Sequence, residues 1–282
     1  MLIPLGSMVR IYRQGFQMAV KALNIPKVSE ILEGKDITFD LDRVYNTTAA
    51  VYLASRTYAQ LKLKRYEKRK QFDETDDILK EILKKLRISG YADIESWNYL
   101  SPSEKAFLES YIVELQDSTE ELMRKVSQEL TRIRQAGLSE RQASKELQKV
   151  FSMAKARAAA IARTETTRSA NAGILIGTYE SKIVKAYEFN AVLDRRTTHI
   201  CESRHGMIFR PEDIGLLSMN TPPLHVNCRS MLNVITEYTE VSKPYTTEKD
   251  IEALHAADPE TVPQQRSSDV ENIRNLLLGM ER

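Results

Sequence analysis

Between Asp40 and Phe72 the sequence holds neither a glycine nor a proline. A stretch of that length without a breaker, in a chain with only 10 Gly and 9 Pro, reads as helix and argues against a β-sandwich. Its first half offers mild apolar contact through Val44, Ala49, Val51, Tyr52, Ala54 and Tyr58. Its second half, KLKRYEKRK, carries Lys62, Lys64, Arg65, Lys68, Arg69 and Lys70 against Glu67 alone. The plain reading is a solvated helix end, with cations near the C-terminal dipole. The sharper one is a face for DNA phosphates or an acidic partner surface.

Helical patterning continues. Ile78, Leu79, Ile82, Leu83 and Leu86 share one face of a short helix at 76–87, which Gly90 ends. Ser101 is an N-cap, Pro102 suits the first helical position, and Glu104 completes a capping box. Leu108, Ile112, Leu115, Leu122, Val126 and Ile133 then make a heptad-like seam, interrupted by Thr119. Gly137 closes that helix, and Ser139 with Gln142 forms the next capping box. Helix resumes through RQASKELQKVF and MAKARAAAIARTETTRSANAG, whose small residues allow close approach to a partner. The first two thirds therefore read as long antiparallel helices.

The character changes at Ile183. IVKAYEFNAV alternates and is rich in β-branched and aromatic residues, so it reads as a strand. Met207–Phe209 and the run at 231–238 read as two more. The polar remainder, 241–282, holds two short helices at 248–256 and 270–280; Ile273, Leu276 and Leu277 give the second a narrow docking stripe. The fold class expected is mainly α with a small α+β domain: long N-terminal helices, then a helix packed on a small β-sheet. No window is apolar enough to span a membrane, and the first residues lack a secretory pattern. The net charge of +2 gives no overall pull toward nucleic acid.

Chemistry-bearing residues concentrate in DRRTTHICESRHGMIFRPEDIGLLSMNTPPLHVNCR, residues 194–229, which hold three of the 4 histidines and both of the 2 cysteines. Cys201 and His205 form C-x3-H; His225 and Cys228 form H-x2-C. Two close pairs around an irregular loop have the layout of a closed structural zinc site, with His199 as a substitute ligand. Other readings remain: thiols packed in an apolar core, a Cys201–Cys228 disulfide that a reducing compartment disfavours, or catalysis. A metal-dependent nuclease would use His with Asp194 or Asn227 to hold a cation, and a cysteine hydrolase would pair a thiol with a histidine. No nucleophile elbow, HExxH helix or phosphate-binding loop supports either. In IARTETTRSANAG, residues 161–173, Arg163, Glu165 and Arg168 can pair locally. Glu165 can also accept Arg229 or Arg196 from the β part.

That helix, then a strand, then D-x-R-T at Asp194, then C-x4-G at Cys201, then PPLHVNCR at Pro222, resembles the phage Mu protein F-like head-morphogenesis domain over residues 137–236. Where many members read H-P-N-C-R-C, this chain reads HVNCRS at 225–230, and His205 stands where an acidic residue is often seen. The resemblance implies a minor head protein of a tailed bacteriophage, made in the host cytoplasm and packaged in the virion near the portal. It implies contact with portal and capsid proteins, and a part in head assembly or genome packaging and ejection. It supplies no catalytic residues, and we expect no enzyme. The organisation expected is a helical region at 1–136, a Mu F-like domain at 137–240 and a polar tail at 241–282. Zinc is the one candidate cofactor. Arg163, Glu165, Asp194, Arg196 and Arg229 are expected to hold the module together, and the Lys62–Lys70 run to meet DNA or the portal. The competing classes are a metal-dependent nuclease and a sequence-independent DNA-binding module.

Overall fold

The computed structural model describes residues 11–14, 16–17, 19–20, 41–67, 100–136, 140–241 and 243–280. Three long helices carry most of it: α1 (Leu41–Glu67), α2 (Pro102–Gln135) and α3 (Glu140–Thr178). There follow β1 (Val184–Asn190), α4 (His199–Glu202), β2 (Ile208–Phe209), α5 (Ile214–Met219), β3 (Met231–Thr236), α6 (Glu248–Ala257), a 3-10 turn (Pro259–Thr261) and α7 (Ser267–Leu278). Mainly helical text with a small β-sheet is the architecture read from the sequence; the structure makes that sheet antiparallel. The short helix expected at 76–87, the capping residue Ser139 and Lys68, Arg69 and Lys70 lie outside the described residues, as do the side chains of Ile112, Leu115, Leu122, Val126 and Ile133.

The start of α2 is built as its sequence dictates. The Ser101 N–H donates to Glu104 Oε2 at 2.8 Å, and the Glu104 N–H donates back to Ser101 Oγ at 3.3 Å. Glu104 is itself buried, and it also accepts the Tyr52 hydroxyl at 2.6 Å and Arg56 Nη1 at 2.5 Å. One carboxylate thus caps α2 and ties it to α1. Burial works against its ionised form, but these donors prevail and hold its pKa below the usual value.

The packing of α1 on α3 is close because α3 carries glycine where the two backbones meet. A Cβ on Gly173 would run into the Tyr52 carbonyl oxygen, and one on Gly177 would stand 2.5 Å from that of Arg56. The approach promised by the small residues of α3 therefore happens at this G-x3-G, about three turns beyond the alanine-rich run.

The sheet has strand order β2-β1-β3, antiparallel throughout, with Tyr187 opposite both Phe209 and Val234. One face packs on the helices. The other is covered by a second small cluster in which Ala186, Ile208 and Ile235 meet Val241 and Tyr245. With both faces covered, β3 is buried along its whole length, and the 243–246 segment also bonds the opposite edge at β2, Thr246 N–H to Ile208 O at 2.8 Å.

The main core is continuous from Ile11 through α1, α3 and the sheet to Ile273, Leu276 and Leu277 of α7. The divisions drawn at 136/137 and 240/241 mark changes in sequence character, and this core runs across both. The apolar stripe of α7 docks as expected, with Leu277 only 1% exposed, while the neighbouring Leu278 is 58% exposed.

Candidate functional site

One stripe of α3 holds the 224–230 segment. Arg163 Nη1 donates to Asn227 Oδ1 at 2.8 Å, and the Asn227 N–H donates to Thr164 Oγ1 at 2.9 Å. Thr167 Oγ1 donates to the Cys228 carbonyl at 2.7 Å. Asn171 Nδ2 donates to the Ser230 carbonyl at 3.2 Å, and its Oδ1 accepts the Leu232 N–H at 2.8 Å. Steps of three and four residues put Thr164, Thr167 and Asn171 in line. They replace sheet pairing for a loop that begins with a cis Pro222–Pro223 bond and passes through left-handed Asn227, φ 67°. Arg163 is steadied by the Phe16 ring, 4.4 Å from its guanidinium carbon.

This clamp delivers His225 and Cys228 to Cys201 of α4. The two sulfurs lie 3.7 Å apart, and Cys201 Sγ is 3.1 Å from His225 Nε2. All three ligand atoms fall within 4.8 Å of one another, and both cysteines are buried and free. His225 Nδ1 is 2.8 Å from the Val226 carbonyl. A carbonyl can only accept, so Nδ1 carries the proton, and Nε2 is the nitrogen that faces the sulfurs. Thr198 Oγ1 stands 3.0 Å from the same Nε2. The Cys228 sulfur and burial push the Cys201 thiol up. Burial opposes ionisation of Cys228 too, yet Cys201 and His225 beside it bring that thiol well below its ordinary value. His225 is raised: burial lowers it, but the Cys228 sulfur and the Val226 carbonyl outweigh that. The group accommodates one negative charge readily and a second only beside a cation.

His205, the fourth ligand expected, stands apart. Its Nδ1 accepts the Ala191 N–H at 3.2 Å, because the turn through Gly206, φ 79°, folds it back along the end of β1. His199 is at the surface beside Asp258 and Glu260, at 3.4 and 3.8 Å. The expected pair between Glu165 and Arg229 or Arg196 is replaced by two others. Arg229 takes Asp194 with both terminal nitrogens at 2.6 Å, and Arg196 lies 3.7 Å from the same carboxylate. The hydrogen bonds from Arg229, and then the one from the Arg196 backbone N–H at 2.9 Å, hold the Asp194 carboxyl well below the usual range. Glu165 meets Arg168 at 3.1 Å, and Arg168 continues to Asp269 of α7 at 2.9 Å. The reason is reach: Asp194 belongs to the loop beside Arg229, whereas Glu165 faces α7. Of the basic run, Lys62 lies over the Tyr58 ring at 5.4 Å. Lys64 and Arg65 lie on α1 with their side chains outside the described residues.

Arg204 was not singled out in the sequence. It is wholly buried, and donates to Asn220 Oδ1 at 2.8 Å, the Ile200 carbonyl at 3.0 Å and the Thr261 carbonyl at 2.7 Å. Its Nη2 is 2.8 Å from His255 Nε2. Burial brings its pKa down to about 10. No motif marks an arginine for such a place. Thr164, Thr167 and Asn171 were not singled out either, and their helical spacing is the signal that could have found them.

Residues 124–233 match the family model described as phage Mu protein F like protein, and no curated protein or solved structure matches the chain. The matched stretch takes in the clamping stripe of α3, β1, β2 and the cysteine–histidine group. Over residues 124–233 the chain is similar to the phage Mu protein F-like family, in agreement with the resemblance carried by its motifs.

Proposed function

We propose that this chain is a minor head protein that sits at the portal or inner capsid surface of a tailed bacteriophage and acts, without catalysis, in head assembly or in packaging and ejecting the genome. The observation that carries this is the Mu F-like match, which implies head morphogenesis, a virion location and capsid components as partners. The site is consistent with it. Its polar groups are engaged with one another and with loop carbonyls, as in a device that fixes shape. No described helix is long and apolar enough to cross a membrane. In this proposal the Lys62–Lys70 run faces packaged DNA or an acidic portal surface.

The test is co-expression with the portal protein of the same phage. Retention of the chain on the purified portal oligomer is the expected result, and loss of capsid assembly without it is the second. Reversal of charge at Lys62, Lys64 and Arg65 should weaken a DNA or portal contact and make what remains less sensitive to salt. Metal-dependent plasmid cleavage that disappears in His225→Ala would replace this reading with the nuclease.

A further inference from the structure

We propose that Cys201, His225 and Cys228 bind one zinc ion, with an oxygen from the Thr198 hydroxyl or water in the fourth position, and that the metal locks the 224–230 loop to α4. Three independent features of the geometry carry this. Two thiolates about 2.3 Å from a tetrahedral zinc stand roughly 3.8 Å apart, and the sulfurs here are 3.7 Å apart. His225 bonds a backbone carbonyl through Nδ1, the arrangement that fixes a zinc-ligating ring and points Nε2 at the metal. The loop that brings two of the ligands is held before any metal arrives, by Thr164, Thr167 and Asn171 of α3.

Two soft sulfurs and an imidazole select zinc over magnesium or calcium, which take oxygen ligands. Binding requires both thiols as thiolates, and the protons displaced go to solvent. This differs from the four-ligand C-x3-H plus H-x2-C arrangement suggested by spacing: His205 is bonded to the Ala191 N–H and takes no part. Portal attachment does not enter the argument, so the two proposals fail separately.

The experiment is elemental analysis of the full chain purified under reducing conditions from zinc-supplied cells, followed by exchange with cobalt. About one zinc per chain is expected, and the cobalt form should show thiolate-to-metal charge-transfer absorption and the visible bands of a tetrahedral site. His225→Ala and Cys228→Ser should lose most of the metal, whereas His205→Ala and His199→Ala should keep it. If the first two variants fail to fold, chelation of the wild-type chain gives the same information, since metal removal should lower its thermal midpoint. Wild-type protein with no zinc and no cobalt uptake would overturn the proposal. So would a Cys201–Cys228 disulfide recovered from a reducing cytoplasm, cobalt bound without thiolate absorption, or zinc lost from His205→Ala as fully as from His225→Ala.

Discussion

Thr167 is wholly buried in α3, and its hydroxyl donates to the Cys228 carbonyl. Thr167→Val keeps the shape and leaves that carbonyl without this donor, so stability should fall by about 1–3 kcal/mol, read from denaturant unfolding at unchanged slope. Arg204 concerns more partners. Arg204→Met would strand two carbonyls, the Asn220 side chain and His255, at a cost on the order of 3 kcal/mol. His255 itself gives a pH dependence. Burial and then the Arg204 charge lower its pKa from the usual 6.5. The unfolded chain therefore binds that proton more readily, so the contribution to stability is complete above 6.5 and is lost as pH falls through the lowered value. Urea midpoints on either side of 6.5 should diverge less in His255→Gln than in the parent chain.

The crossing of α1 and α3 depends on elements having no side chain where they touch. Alanine at Gly173 gains up to about 1 kcal/mol of helix propensity, but its Cβ meets the Tyr52 backbone oxygen, which cannot rotate away. Overpacking of this kind costs about 1–3 kcal/mol, so Gly173→Ala should lower the thermal midpoint although it favours helix. Gly215, with nothing near its Cβ, is the control: Gly215→Ala should not lower it. Among the described residues, the helix starts with a capping box, Ser101 with Glu104 and Thr247 with Asp250, fall where short polar residues precede apolar periodicity. Strands were equally readable, since β-branched alternation needs no knowledge of the partner strand. The partners of Arg229 and Glu165 were not readable: several acidic residues lay within reach in sequence, and only the folded loop decides which is near.

At the scale of the molecule, one core joins segments that composition separates. Residues 137–240 make a unit in sequence character, but α3 buries its glycine face against Tyr52 and Arg56 of α1, and its Arg168 pairs with Asp269 of α7. A fragment limited to 137–240 should therefore unfold over a broad range with weak cooperativity, where the full chain shows a sharper calorimetric transition. Deleting residues 267–282 removes the burial of Ile273, Leu276 and Leu277, each worth about 1.5–3 kcal/mol. The thermal midpoint should drop by on the order of 10 °C.

Local chemistry determined what could be settled within a few residues: helix text without breakers, capping boxes, strand alternation, the docking stripe of α7 and the gathering of cysteine and histidine at 194–229. These depend on backbone propensity and side-chain period, which a neighbouring residue can satisfy or break. Tertiary structure alone decided that Cys201, His225 and Cys228 meet while His205 turns away, that Asp194 takes Arg229, and that Arg204 is buried among carbonyls. Each of these joins residues far apart in the chain, and a side chain's reach is only a few ångströms. Which groups come within it is set by how the loop lies on α3, and spacing along the chain carries no record of that.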